Sequence, residues 1–290
     1  DCLPEDAERA MLVGRAWVAG DHPGPSPGII RGADVLDISD TFPTMSELLN
    51  TESIESKMDD INGTKIGVID SLLENSAWHS QDKKHPYLLA PVDLQAVKAC
   101  GVTFAQSMLE RVIEEKAKGD PSAAQGIRND IQKVIGLDLE SIIPGSSEAE
   151  QLKEVLIKKG MWSQYLEVGI GPDAEVFTKA QPMSVMGIGA QIGILEKSEW
   201  NNPEPEITLA VNARGKILGA TLGNDVNLRD IEGRSALLLG KAKDNNASAA
   251  IGPFIRLFDE NFSLDDVRMA ELSLTVRGLD QFTLHGRSSM

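Results

Sequence analysis

From Trp162 onwards, the chain consists of short apolar runs separated by Gly, Pro, Asn and Asp, with no long helical period among them. Runs of about four to eight residues bounded by turn-forming residues are typical of β-strands joined by tight connections. A chain punctuated so often cannot form a bundle of long helices. The second half of the sequence therefore predicts a β-rich domain.

Residues 1–86 predict a small mixed α/β module that precedes this domain. Residues 34–38 alternate polar and apolar side chains, as a half-buried strand does. Thr44 is placed to cap a short helix. The predicted elements are strands at 15–18, 28–32, 34–38 and 65–69, a proline-rich loop at 21–28 and a helix at 44–49.

The middle of the chain predicts helices. In residues 104–118, apolar side chains recur at helical spacing until Gly119 ends the pattern. Asp120-Pro121 is typical of a helix start. A capping box that begins at Ser147 starts a further helix, which ends at Gly160. We therefore expect a helical hairpin at 119–160, inserted into a domain that spans 87–290.

The overall composition excludes several classes of partner. The sequence has 290 residues, of which 44 are acidic and 28 basic, and its formal net charge is −16. Such a charge repels nucleic acid and anionic membrane surfaces but attracts metal cations. Only Cys2 and Cys100 occur, which rules out a disulfide framework and favours a reducing compartment. With no apolar run near the ~20 residues of a membrane span and no visible signal peptide, we expect a cytoplasmic protein without nucleic-acid or membrane partners.

A β-hairpin is predicted in the second half of the chain. It comprises strands at 207–211 and 216–220 and a turn at 212–215. In the expected register, Val211 pairs with Lys216. The same register sets Glu204 opposite Gly223 and brings the end of the second strand close to the segment before the first.

Three carboxylates converge in this predicted hairpin. Glu204 and Glu206 are two residues apart, so their side chains leave the same face of an extended chain. The hairpin brings Asp225 close to them. Three carboxylates in a small volume repel one another, and hard oxygen ligands suit Mg²⁺, Mn²⁺ or Ca²⁺ rather than Zn²⁺. A solvated acidic hairpin end is the open alternative.

Other residues give weaker signals. Lys241 and Lys243 follow the hairpin, and a lysine near a cation can act as a base, although exposed surface lysines are the alternative. Cys100 is expected to be a buried small hydrophobe. The four histidines lack metal-type spacing and are expected to be surface or packing residues. No complete G-x-G-x-x-G motif occurs.

Five segments follow one another in an order that resembles a known family. They are Gly101–Phe104 with Ser107 and Arg111, Glu175–Lys179, Asn202–Leu209, Gly223–Asp230, and Lys243 with Gly252-Pro253 nine residues later. They resemble the "GVTYxxSxxxR", "xxFFKxx", "PEPEL", "NDVSxRD" and lysine–"GP" segments of the fumarylacetoacetate hydrolase family. Residues 165–173 and 219–254 most resemble the branch that dehydrates 2-keto-3-deoxy sugar acids.

The resemblance implies an α+β fold in which residues 87–290 form a β-rich catalytic domain like the C-terminal domain of fumarylacetoacetase. It also implies Mg²⁺, or Mn²⁺ in its place, as the cofactor. The implied site residues are Glu204, Glu206 and Asp225 as metal ligands, Lys243 as a catalytic residue, and Ser107, Arg111, Lys179 and Arg229 as substrate-binding residues. Phe104 stands where the family often has Tyr. The family also has further strands, so a C-terminal part is expected beyond Met290.

The implied activity is dehydration of a 2-keto-3-deoxy-pentonate, derived from D-xylonate or L-arabonate, to 2,5-dioxopentanoate. In this chemistry a Lewis acid stabilises the enolate that forms when a C3 proton leaves. Lys243 is the candidate base or enolate stabiliser. Glu114, one helical turn beyond Arg111, is the candidate acid for the departing C4 hydroxyl. A C–C hydrolase of 2,4-diketo acids and a metal-free binding protein are the alternatives, and we expect a homodimer or homotetramer that acts on a small 2-keto acid.

Overall fold

The protein is described from a computed structural model, which covers residues 2–101, 126, 142–158 and 160–289. The chain divides into two compact units, one formed by Asp1–Val97 with Thr178–Met290 and the other by Lys98–Phe177. This division differs from the boundary predicted near residue 86. The reason is that strands from residues 1–86 belong to the same sheet as strands from the C-terminal part of the chain.

The strands are β1 Leu12–Val18, β2 Gly24–Arg31, β3 Asp34–Asp37, β4 Thr64–Val68, β5 Tyr87–Leu89, β6 Val97–Cys100, β7 Val176–Ala180, β8 Asn201–Asn202, β9 Pro205–Val211, β10 Ile217–Asp225, β11 Asn227–Leu228, β12 Ala249–Leu257, β13 Glu271–Arg277 and β14 Thr283–Ser289. The main sheet has eight strands in the order β4-β3-β2-β1-β12-β10-β9, and β5 also pairs with β1. Its strand pairs are antiparallel. The β-rich character predicted from the sequence is confirmed.

The helices in the described residues are short. They are α1 Met45–Asn50, α2 Ile54–Lys57, α3 Ile69–Asn75, α4 Ser147–Lys158, α5 Gln164–Ile170, α6 Arg229–Glu232, α7 Leu239–Lys243 and α8 Leu264–Arg268, with 3₁₀ turns at Met58–Asp60 and Ala236–Leu238. Within this part of the chain, none has the length and apolarity to cross a membrane.

Strands β1, β2 and β3 contribute buried side chains to core clusters on both faces of the main sheet. Neighbouring residues such as Leu12 and Val13, or Ile29 and Ile30, belong to different core clusters, because successive side chains in a strand point to opposite faces. Helix α1 covers one face and α3 covers the other. The N-terminal residues therefore build one half of the main sheet, from the edge strand β4 to β1.

Most predicted N-terminal elements are confirmed, and one is wrong. Thr44 caps α1 by accepting the Glu47 N–H at 3.0 Å. The predicted loop at 21–28 instead enters β2, which begins at Gly24 and contains Pro25 and Pro27. Along this stretch β2 pairs with β1, whereas β3 pairs with it only from Gly28 onwards. An open strand edge tolerates proline, which has no N–H to donate.

The second unit contains α4 and α5. Helix α4 lies where the sequence predicted it, but Ser146 rather than Ser147 accepts the Ala149 N–H, at 3.1 Å. Helix α5 was not predicted, because two turns are too short to reveal a helical period. The predicted helix at 104–118 and the first helix of the hairpin lie outside the described residues.

Two further expectations concern single residue types. Cys100 is exposed, which contradicts the expected burial, because the neighbouring Ala99 takes the inward position on β6. Both cysteines are free. All four histidines are exposed, as expected for residues without a metal-type spacing.

Candidate metal centre

The predicted hairpin forms from β9 and β10, but its register differs from the prediction by two residues. Val211 lies opposite Ile217 rather than Lys216, so the loop is one residue longer than expected. A bulge further along β10 adds a second residue, and Glu206 then lies opposite Gly223. A shift of one residue would have turned the carboxylates to the other face, whereas a shift of two restores the predicted face.

Three carboxylates meet at the end of this hairpin. One oxygen each of Glu204, Glu206 and Asp225 lies within 4.8 Å of the others. The Asp225 N–H donates to the Glu204 carbonyl at 2.9 Å, which holds the two segments together at this point. The predicted convergence is confirmed, and the role of the three residues as metal ligands stays a prediction.

Lys243 lies across two of these carboxylates. Its Nζ donates to Glu204 Oε2 at 2.5 Å and to Asp225 Oδ2 at 3.0 Å, and the residue is only 4% exposed. Burial lowers the pKa of Lys243, but the two carboxylates outweigh this effect and raise it overall. The ammonium form is therefore favoured. Lys241 lies two residues earlier on α7 and is exposed, so only one of the two candidate lysines reaches the site.

Lys179 is a second buried lysine at the site. Only 2% of the residue is exposed, and its Nζ lies 2.8 Å from the Val226 carbonyl, 2.5 Å from the Lys243 carbonyl and 3.1 Å from Asp225 Oδ1. Burial lowers its pKa. Three protein oxygens thus surround the ammonium that the resemblance assigned to substrate binding. This geometry favours a role in holding Asp225 and the backbone around it.

Two asparagines that the sequence reasoning did not select hold Glu204. Asn224 Oδ1 accepts the Glu204 backbone N–H at 3.0 Å. Asn227 Nδ2 lies 2.9 Å from Glu204 Oε1. The signal was present in the sequence, because Asn227 occupies the serine position of the "NDVSxRD" segment and its longer amide reaches further.

Glu206 differs from the other two carboxylates. Within the described residues, no hydrogen bond or ion pair reaches its carboxylate. Burial raises the pKa of Glu206 to about 7, and the charges of Asp225 and Glu204 add to this rise. Burial also raises the pKa of Asp225, although Lys243 and Lys179 oppose that effect. The cluster thus carries more negative charge than its lysines balance.

The remaining predicted site residues are not brought to the carboxylates by the described contacts. Arg229 begins α6 and lies over the Trp200 ring, with its guanidinium carbon 5.6 Å from the ring centroid. Ser107, Arg111 and Glu114 lie outside the described residues. Their roles stay predictions from the resemblance.

Sequence comparison finds relatives with named activities. The chain is 36% identical over 128 residues to a probable 2-keto-3-deoxyxylonate dehydratase of Haloferax volcanii. This alignment covers 44% of this chain and 42% of that protein. It is also 40% identical over 94 residues to the 2-dehydro-3-deoxy-D-arabinonate dehydratase of Saccharolobus solfataricus. That alignment covers 31% of this chain and 32% of that protein. The matches thus span less than half of either relative. No protein-family model matches the chain.

Solved structures define the fold. The apo form of a 2-keto-3-deoxy-D-arabinonate dehydratase matches 96% of this chain and 77% of its own with a TM-score of 0.62 at 18% identity. The same enzyme complexed with magnesium and 2,5-dioxopentanoate matches with a TM-score of 0.60 at 19% identity, over 96% and 76% of the two chains. The predicted fold class is confirmed by these matches. The two sequence relatives confirm the predicted resemblance to the dehydratase branch.

Proposed function

We propose that the protein is a magnesium-dependent dehydratase that converts a 2-keto-3-deoxy-pentonate into 2,5-dioxopentanoate. The proposal rests on the cluster of the half-buried Glu204 and Glu206 with the buried Asp225, and on Lys243 across two of its members. It is supported by the names of the two sequence relatives. It is further supported by the structural neighbour that contains magnesium and the expected product.

The donor set fits a hard divalent cation. It consists of carboxylate oxygens without sulfur or imidazole, which suits Mg²⁺ or Mn²⁺. Three carboxylates face two buried lysines, and burial together with the charges of Asp225 and Glu204 raises the pKa of Glu206. Glu204, Glu206 and Asp225 would therefore hold the cation. When bound, it supplies Lewis acidity at the 2-keto oxygen of the substrate.

The residues of the chain then have distinct tasks. Lys243 keeps an ammonium at the cluster, which suits it to stabilise the negative charge of an enolate after the C3 proton leaves. Glu114 is the proposed acid for the C4 hydroxyl, which leaves as water. A proton then moves from C5 to C3, and the resulting enol transfers its hydroxyl proton to C4 to become the aldehyde, so substrate and product differ by one water. Ser107, Arg111 and Arg229 are proposed to bind the substrate, and Lys179 to hold Asp225.

A product assay tests the proposal. The purified protein is incubated with 2-keto-3-deoxy-xylonate and, separately, with 2-keto-3-deoxy-arabonate, and a coupled NAD(P)-dependent aldehyde dehydrogenase reports the semialdehyde. We expect turnover with Mg²⁺ and none with EDTA. Pyruvate and a two-carbon fragment would instead identify C–C cleavage. Turnover of acylpyruvates without turnover of either pentonate would refute the dehydratase.

The proposal includes a cytoplasmic homodimer or homotetramer in pentose catabolism. Two unpaired cysteines suit a reducing compartment. The exposed apolar side chains of Val211 and Leu222 on the hairpin offer surface for a second copy. Sedimentation equilibrium at micromolar concentration measures the assembly, and a monomer under those conditions would contradict it.

A further inference from the structure

Asn227 forms a bridge between Glu204 and a fourth carboxylate. Its Nδ2 lies 2.9 Å from Glu204 Oε1 and 2.6 Å from Glu232 Oε2, on the helix α6 that follows. An amide nitrogen carries two hydrogens, so it can serve both carboxylates at once. The opposite orientation of the amide would place its oxygen against two negative groups. The contacts themselves therefore determine which end of the side chain points to Glu204.

Burial and backbone pairing constrain the position of this amide. Asn227 is 1% exposed, and its backbone pairs with Asn202 of β8. Among the described residues, no donor reaches its Oδ1, which is also buried. A buried acceptor without a partner is unfavourable for folding. A residue chosen for stability alone would avoid that orphaned oxygen, so the arrangement points to a task for the amide nitrogen.

That task is the orientation of Glu204. Lys243 holds one carboxylate oxygen of Glu204 and Asn227 holds the other, so the carboxylate plane is defined from both ends. Groups that orient a metal ligand tune its affinity although they do not touch the ion. Building on the proposed function, we propose that Asn227 is a positioning residue for cation binding and that Glu232 acts through it by fixing its amide.

The experiment measures Mn²⁺ binding to the full-length, metal-stripped protein by calorimetry, without substrate. Asn227→Leu removes both donors at similar volume and adds no charge, and we expect about 10–100-fold weaker binding. Asn227→Ser retains one donor and is expected to lose less. Glu232→Gln is expected to weaken binding by less than tenfold. The exposed Asn261→Asp is the control that leaves affinity unchanged.

The double variant distinguishes a bridge from a long-range charge effect. If Glu232 acts through Asn227, Glu232→Gln has no further effect once Asn227→Leu is present. Equal effects of Glu232→Gln in both backgrounds would overturn the proposal, as would an affinity of Asn227→Leu within twofold of the wild type. Thermal melting of each metal-free variant checks that it is folded. A wild-type protein that binds no Mn²⁺ would refute the proposed function itself, and this outcome differs from wild-type binding that survives Asn227→Leu.

Discussion

The two sides of the carboxylate cluster are built differently. On one side, Glu204 and Asp225 receive Lys243, Lys179 and amide groups from the chain. On the other side, no hydrogen bond or ion pair from the described residues reaches the carboxylate of Glu206, and burial raises its pKa to about 7. Among the described residues, lysines thus pair with two of the three carboxylates, and the third has no direct ion-pair partner. This difference predicts how each residue responds when the cation, a lysine or the third carboxylate is removed.

The largest effect is expected from removal of the cation. EDTA should abolish activity, and Mg²⁺ or Mn²⁺ should restore it, because among the described residues no side chain pairs directly with the carboxylate of Glu206. A cation at a hundred times its dissociation constant stabilises the folded state by about 2.7 kcal/mol, or about 5–10 °C in melting temperature. Calorimetry of the stripped and reloaded protein measures the shift. Full activity after stripping would contradict the model of the site.

Replacement of Lys243 should separate catalysis from cation binding. Lys243→Ala should lower kcat by at least about 10²-fold, the effect typical of losing a group that stabilises charge developing in the transition state. Affinity for Mn²⁺ should change less than kcat, since the loss of a competing ammonium offsets the loss of a contact that orients Glu204. Steady-state kinetics and metal titration measure the two effects. Lys241→Ala is the control on the same helix. An equal loss of kcat in that variant would show that the assignment of the catalytic role to Lys243 is wrong.

Replacement of Lys179 should damage the balanced side of the cluster. Lys179→Met leaves Asp225 Oδ1 and two backbone carbonyls without their cation. We expect about 10–100-fold weaker Mn²⁺ binding and an unfolding free energy lower by about 3 kcal/mol, because a buried charge loses its partner.

The same substitution at an exposed ion pair controls for the change of residue type. Lys65 pairs with Asp34 at 2.6 Å on the surface, and Lys65→Met should cost less than about 1 kcal/mol. Denaturant unfolding compares the two variants. Similar losses of unfolding free energy in the two variants would mean that burial of the Lys179 ion pair does not increase its contribution to stability.

The smallest effect concerns the unbalanced side. Glu206 has a folded-state pKa of about 7 against an ordinary value of 4.5. Below pH 4.5 it is protonated in both states, and as the pH rises to 7 the unfolded chain ionises first, which lowers stability. In the metal-free protein, Glu206→Gln should therefore raise the melting temperature by about 2–6 °C at pH 8 and by little at pH 4.5. The exposed Glu196→Gln serves as control, and a difference independent of pH would contradict the raised pKa.

Local patterns in the sequence were sufficient for much of the fold. Alternation and turn residues predicted β3 and the β9–β10 hairpin, and Thr44 marked the start of α1. These features depend on residues close together in the chain. The prolines of β2 misled the prediction because their acceptance depends on which part of β2 is covered by β3, and β3 is a separate segment.

The candidate site shows the same division. The two-residue spacing of Glu204 and Glu206 determined that both side chains leave one face of the strand. Any shift of the hairpin by an even number of residues keeps Asp225 on that same face. Only the tertiary structure decided the register itself, because β10 pairs with β12 as well as with β9, and each pairing contains a shift along β10. The prediction missed one residue in the loop and one in the bulge. Together they shift the pairing by two residues, so the predicted pairs were wrong but the carboxylates still share one face.

The sequence by itself therefore determined the chemical types at the site, namely three carboxylates and a lysine in segments that resemble a dehydratase. The tertiary structure alone decided which groups neutralise which. Lys179 reaches Asp225 across 46 residues of chain, and Asn227 reaches Glu204 across 23. The physical reason is that burial and hydrogen bonding depend on distances in space, and a local pattern constrains only the residues within a turn or a strand of one another.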